Sequence, residues 1–398
     1  MTAAVDRQPR LLYVGDVPVE ATVAGAALIY RLFDGYPAER LTIFQSSLPV
    51  VRAPDKRLPG VTYHEFPVGS RRLLDSRVSG WYAAVLLATA EARASGIAAR
   101  ISSRVDGIVT VAHGYSWLTA ARLSATLGVP LHMVLHDDCI ATTGIAAPLR
   151  GYAERLFATA LSAAATRFSA SPGMQEHCRA SYGVSSELLL PMRARDAIVF
   201  DAPPAADMRR GEPFTAAYAG SLSAGYVPVI ERLWDSLRDS GGRLLIFTAD
   251  ASPALRARLT GADFHPFVSA RDLPAMLRER ADALFVPMSF AGSDAENMRL
   301  GFPSKLADLT AVGLPIVIAG PENCSAVRWA RQHAGVALVV TTLADGSLAD
   351  ALIALANDEG LRGRLAREAL RVGAICFDHH HAQQRFFAAM DGIAVRPS

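Results

Sequence analysis

The chain has 398 residues, 51% hydrophobic and 20% charged, which suits two globular domains and is too apolar for a disordered protein. Forty Lys and Arg against 38 Asp and Glu leave a formal charge of +2 with no concentrated basic run, so nucleic acid is not an expected partner. Mean hydropathy is +0.21, but charge, Gly or Pro interrupts every apolar stretch before the roughly 18 residues that a membrane span needs.

The opening MTAAVDRQPR has two arginines and no apolar region of the signal-peptide kind, so a cytoplasmic protein is expected. The first apolar run, residues 11–14 (LLYV), reads as a strand, and so do 41–44 (LTIF), 107–111 (GIVTV), 131–135 (LHMVL), 167–170 and 186–190 (SELLL). Helical periodicity falls at 25–33, 80–102, 117–127, 149–164 and 174–182. Residues 192–213, with the proline pair Pro203–Pro204 and mixed charge, read as a connection. A second set of strands follows at 214–218, 243–247, 263–266, 283–287, 315–319 and 337–340. Helices are expected between and after them at 228–239, 253–258, 272–279, 304–311, 325–332, 347–357 and 359–371, with a last one at 377–391. Short apolar strands alternating with helices predict parallel βαβ units, hence an α/β chain of two doubly wound Rossmann-like domains facing a central cleft. The expected division is 1–198, 199–376 and a final helix, 377–398, returning to the first domain.

Cys139, Cys178, Cys324 and Cys376 make no pair with zinc-ligand spacing and read as free thiols. His379, His380 and His381 are consecutive, so on a helix they point about 100° apart and cannot face one ion. Arg71, Arg72 and Arg77 near Trp81 and Tyr82 read as a solvated helix face, with at most peripheral membrane contact.

The most informative segment is 300–319, LGFPSKLADLTAVGLPIVIA, a Gly/Pro loop followed by a helix and a buried strand. Ser304 is placed to cap the helix, where its first amides and Lys305 would face an anion. Asp308 lies one turn on, on the same helix face, where a carboxylate can accept hydrogen bonds from a ribose diol. Taken alone, the window is equally an ordinary capped helix.

This segment resembles the PSK-type variant of the donor motif in family 4 glycosyltransferases of the glycosyltransferase B fold. The family carries Glu-x7-Glu before Ala-x-Gly-x-Pro; against Ala311–Pro315 the second Glu falls on Asp308 and the first on Leu300. Asp294, Glu296 and Asn297 precede Leu300, and the resemblance leaves open which of the three takes its place toward the donor sugar. FTAAYAGSL at 214–222 resembles the first donor-domain strand and its turn, with Gly220 and Ser221 where the family usually has Gly-Arg-Leu. Arg299, Pro303 and Lys305 complete the implied phosphate site, and Phe267-Val268-Ser269 with Asp272 resembles the loop against the nucleobase.

In the first half, Gly15 after the first strand and Gly25 before a helix match the family's approach to the diphosphate. His113 ends one strand, and His136 and Asp137 end the next, resembling the residues that face donor sugar and acceptor; these three are the expected catalytic residues. The Asp137–Asp138 pair could also hold an ion, but the resemblance implies a metal-independent enzyme, so no metal ligand is expected. No cofactor is expected beyond a nucleotide-diphosphate sugar as co-substrate, and the acceptor would be a glycan, lipid or small molecule. The implied reaction is retaining sugar transfer. The alternatives are a nucleotide-sugar epimerase of the same architecture and a degenerate member that binds a sugar nucleotide or a partner without turnover.

Overall fold

The computed structural model describes residues 8–22, 24–48, 53–205, 209, 211–249, 251–344 and 346–394. Residues 1–7, on which most of the targeting expectation rests, lie outside this set, as do 206–208 and 210 of the expected connection. The chain forms two compact units, Met1–Leu190 with His381–Ser398, and Pro191–His380. The divisions thus fall at 190/191 and 380/381 instead of 198/199 and 376/377. The first is earlier because the segment after Leu190 is already built into the second unit. Arg193 Nε donates to the Ala307 carbonyl and Nη2 to Thr310 Oγ1, each at 3.1 Å, and the Phe200 N–H donates to the Ala311 carbonyl at 3.0 Å.

The first unit contains β1 (Leu11–Gly15), β2 (Leu41–Ser46), β3 (Thr62–Phe66), β4 (Gly107–Val111), β5 (Leu131–Leu135), β6 (Thr166–Ser169) and β7 (Glu187–Leu188). They form one parallel sheet in the order β3-β2-β1-β4-β5-β6-β7. β1, β4 and β5 are buried along their whole length, as expected of parallel strands covered on both faces. Strand order reverses between β1 and β4, so the crevice beyond their carboxyl ends is where a doubly wound sheet takes its ligand. β3 (TYHEF) is an edge strand that sequence patterning misses, because its residues are mostly exposed or half-buried. The helix expected over 80–102 is two, Ser79–Ala88 and Ala90–Ala98, meeting at Thr89, whose Oγ1 bonds back to the Val85 carbonyl at 2.7 Å. The strand expected at 186–190 pairs only over β7's two residues.

The final helix, His379–Ala394, belongs to the first unit from His381 on. Phe386 packs edge-on against Phe33 and at 4.6 Å against Phe168, Phe387 stacks on Tyr36 at 4.9 Å, and Gln383 Nε2 donates to the Leu32 and Asp34 carbonyls.

The second unit contains β8 (Thr215–Ala219), β9 (Arg243–Phe247), β10 (Asp263–His265), β11 (Ala283–Pro287), β12 (Ile316–Ala319) and β13 (Leu338–Val340). The sheet is again parallel, in the order β10-β9-β8-β11-β12-β13, with its reversal between β8 and β11. Ile230, Leu233 and Leu237 of helix Val227–Asp239 pack with Leu244, Phe285 and Val317 in its core. The stretch before the Gly/Pro loop carries a short helix, Ala295–Leu300, and the helix expected at 304–311 is Lys305–Leu309. Among the described residues no helix is long and apolar enough to cross a membrane.

Candidate functional site

In the first unit the expected catalytic residues come together beyond the ends of β4 and β5. His113 Nδ1 lies 3.3 Å from Asp137 Oδ2, and His136 Nδ1 lies 3.5 Å from the same oxygen. The two imidazole rings are 5.4 Å apart and nearly parallel. Gly25 belongs to this group: a Cβ there would meet the His136 ring at 3.6 Å, so the start of helix Ala24–Phe33 approaches the imidazole at van der Waals distance.

The three groups are differently charged. The hydrogen bond to Asp137 holds the His113 pKa above its ordinary value against the opposing effect of burial. Burial holds the His136 pKa below its ordinary value, so His136 is neutral at pH 7. Burial would push Asp137 up, but the hydrogen bond with His113 and the two imidazoles outweigh it and keep the carboxylate below the usual range. One imidazole with a lowered pKa and one with a raised pKa thus share a carboxylate.

His113, His136 and Asp137 are also the group, among the described residues, whose ligand atoms lie close enough to share an ion, within 4.8 Å of one another. Asp138 does not join them. Its Oδ1 accepts the N–H groups of Ile140 and Ala141, each at 3.1 Å, and so caps helix Cys139–Thr142. Burial pushes the neighbouring Cys139 thiol up, which keeps it protonated and a poor nucleophile.

Gly15 and Gly220 occupy matching positions in the two units. Each ends a Tyr-x-Gly strand terminus in which the tyrosine hydroxyl donates to a carbonyl just beyond the glycine: Tyr13 to Val17 and Tyr218 to Ser221, both at 2.6 Å. A Cβ on either glycine would collide with that hydroxyl. The glycines are therefore required by their own tyrosines, whatever else approaches them. This local repeat, YVG at 13–15 and YAG at 218–220, is visible in the sequence only once the strand ends are known.

In the second unit Lys305 Nζ stands 3.9 Å from Asp308 Oδ2 and 5.8 Å from the centre of the Phe267 ring. Three expected donor contacts thus meet, with Asp308 2% exposed and Phe267 43% exposed. Ser304 is at the helix start, but its backbone is already helical (φ −57°, ψ −26°) and its side chain makes no cap, which corrects the expected capping role. The helix is also only five residues long, so Lys305 supplies the positive charge more than any helix dipole. Pro303 precedes this turn and accepts the Leu306 N–H at 3.0 Å. Glu296 and Arg299 pair with each other on one helix, Arg299 Nε to Glu296 Oε2 at 2.8 Å. Leu300, standing where the family has its first Glu, is 1% exposed. Gly225 closes the loop after β8 against Ser289 and the Asp294 carboxylate, both of which a Cβ would overlap.

Asp16 is the functional-site neighbour that the sequence pattern passes over. It follows β1, is 7% exposed, and bonds to the turn after β4. An acidic residue directly beyond the carboxyl end of a buried strand is the available signal, but its partners lie 99 and 100 residues away.

No protein-family model and no curated protein matches this chain. Solved structures do match along its length. Sucrose-phosphate synthase from Thermosynechococcus elongatus superposes with a TM-score of 0.71 at 15% identity, over 98% of this chain and 99% of that one. HepE from Anabaena, solved with UDP and glucose, gives 0.67 at 14% identity over 96% and 100%. A UDP-forming α,α-trehalose-phosphate synthase from Burkholderia xenovorans gives 0.64 at 16% identity over 98% and 100%. With its two doubly wound parallel sheets, the chain has the glycosyltransferase B fold.

Proposed function

We propose that the chain is a glycosyltransferase of the family 4 kind that moves a sugar from a nucleoside-diphosphate sugar to an acceptor hydroxyl, with retention and without a divalent ion. The observation that carries this reading is the grouping of Phe267, Lys305 and Asp308 in the second unit. An exposed ring, an ammonium group and a carboxylate suit, in that order, the base, the diphosphate and the ribose hydroxyls of one nucleotide. The fold is shared with HepE, whose solved complex holds UDP and glucose, which favours a uridine nucleotide and a sugar-type acceptor.

In this reading Lys305 neutralises charge on the departing diphosphate, an electrostatic role that strengthens as charge develops. In its protonated form, which Asp137 favours, His113 donates a hydrogen bond to the sugar or the leaving oxygen. Neutral His136 offers an acceptor nitrogen to a hydroxyl. The experiment is calorimetric titration of UDP and UDP-glucose into the wild type and Asp308→Asn. At least tenfold weaker binding by the variant is expected, and equal affinity for every nucleotide sugar tried overturns the ribose assignment.

A second reading, a sugar-nucleotide binder without turnover, draws on the buried Leu300 and the mutual pairing of Glu296 and Arg299. Binding of UDP-glucose with neither hydrolysis nor transfer across an acceptor panel would favour it.

A further inference from the structure

We infer that Asp16 is a positioning residue that locks the turn carrying His113. Its Oδ2 accepts the backbone N–H groups of Tyr115 at 2.7 Å and Ser116 at 2.8 Å, and its Oδ1 accepts the Ser116 hydroxyl at 2.5 Å. Those amides open helix Ser116–Leu127, whose own N-cap, Tyr115, provides no side-chain cap. The helix start is therefore satisfied by a carboxylate just beyond β1, the neighbouring strand across the reversal point.

The turn between His113 and the helix is held on its other side as well. Gly114 has φ +57°, a conformation that favours glycine, and a Cβ on it would overlap Asp16 Oδ2. The Gly114 carbonyl accepts from Trp117 Nε1 at 3.1 Å and faces Cys139 Sγ at 3.6 Å. His113 is thus the last residue before a segment with little freedom, and Asp137 fixes its ring from β5. The charged and titratable groups facing it are Asp16 from just beyond β1, and His136 and Asp137 from the end of β5, with Cys139 just beyond. Arg93, from helix Ala90–Ala98, faces Asp16 in turn and tempers its field. Asp16 acts on His113 in two ways, through the backbone of the turn and through its negative charge.

The role matters for turnover only if His113 faces the sugar, so this part rests on the proposed function, while the lock itself can be read without any substrate. The whole 398-residue chain, labelled with 13C-histidine, is titrated by NMR, with His113→Gln assigning the resonance. Asp16→Asn keeps an acceptor for the two amides and removes the charge. It should lower the His113 pKa, while Ser116→Ala leaves it in place. Asp16→Ala should return it toward the ordinary value of about 6.5 and speed amide exchange at Tyr115 and Ser116 at least tenfold. Identical His113 titration in wild type, Asp16→Asn and Asp16→Ala overturns the inference; if Asp16→Ala does not fold, the Asn and Ser116→Ala variants decide it.

With UDP-glucose as probe and released UDP as readout, Asp16→Ala should lower kcat at least tenfold with KM within threefold, and Asp16→Asn should recover most of it. A change confined to KM overturns the positioning of His113. If the wild type releases no UDP, it is the proposed donor that fails, and the titration still decides the lock.

Discussion

His113 Nδ1 and Asp137 Oδ2 lie 3.3 Å apart beyond the ends of adjacent parallel strands, and this pairing raises the imidazole's pKa. A raised folded-state pKa contributes stability that is fully present below the unfolded value, about 6.5, and is lost as pH climbs through the higher folded value. His136 has the opposite sign: its pKa is lowered, so its contribution is lost as pH falls below about 6.5. The two slopes overlap in the wild type, and His113→Gln separates them. Because the His113 side chain is 44% exposed, the pair is worth only about 0.5–1 kcal/mol after solvent screening. The stability gap between wild type and His113→Gln, followed by calorimetry, should be largest below about pH 6.5 and shrink as the pH rises above it. A gap independent of pH would remove the ion pair from the account.

Lys305 offers a test that separates phosphate from base. Lys305→Met keeps an unbranched side chain of similar length near Phe267 and removes the charge, so affinity for UDP should fall by about 1.5–3 kcal/mol, the range for hydrogen bonds to charged groups. Uridine, which has no phosphate, should bind the variant and the wild type alike. Equal losses for both ligands, measured by calorimetry, would mean that Lys305 supports the pocket wall and does not hold the diphosphate.

How much of this was legible in the sequence depends on the range over which each feature is determined. Buried parallel strands such as LHMVL announce themselves because both faces must be apolar. Edge strand β3, TYHEF, does not, because it has little to bury. The meeting of His113, His136 and Asp137 followed from strand ends, since consecutive strands of a doubly wound sheet bring their carboxyl termini side by side. The failed Ser304 cap turned on its backbone, helical at ψ −26° where the capping Ser171 and Ser252 are extended at ψ 160° and 151°, which residue type alone does not specify. Asp16 and Arg193 lay out of reach for a third reason: each satisfies groups about a hundred residues away, and no local pattern marks such a partner.

Removal of metal ions tests the charge state of the first-unit cluster. A metal needs deprotonated ligands, yet Asp137 already serves both imidazoles and favours the protonated form of His113, so an ion would have to compete with that proton. Donor turnover should be unchanged by EDTA. A loss of activity restored by a divalent ion would instead assign His113, His136 and Asp137 to ion binding, which their mutual spacing admits.

Gly373 reverses the usual sign of a helix substitution. In the interior of a helix such as Glu359–Cys376, Gly→Ala ordinarily stabilises by about 0.5–1 kcal/mol. Here a Cβ would overlap the Arg193 guanidinium and Thr310 Oγ1. Arg193 is 5% exposed and bonded to the Ala307 carbonyl and Thr310 Oγ1, so moving it breaks both bonds and leaves buried polar atoms unpaired. Gly373→Ala should therefore destabilise the chain by about 2–4 kcal/mol, combining overpacking with lost hydrogen bonds. Arg193→Met, which removes the obstructing nitrogens, should make the double variant more stable than the sum of the two single losses predicts. Urea unfolding followed by tryptophan fluorescence measures all three; strict additivity, or a stabilised Gly373→Ala, would show that the guanidinium is not what excludes a side chain there.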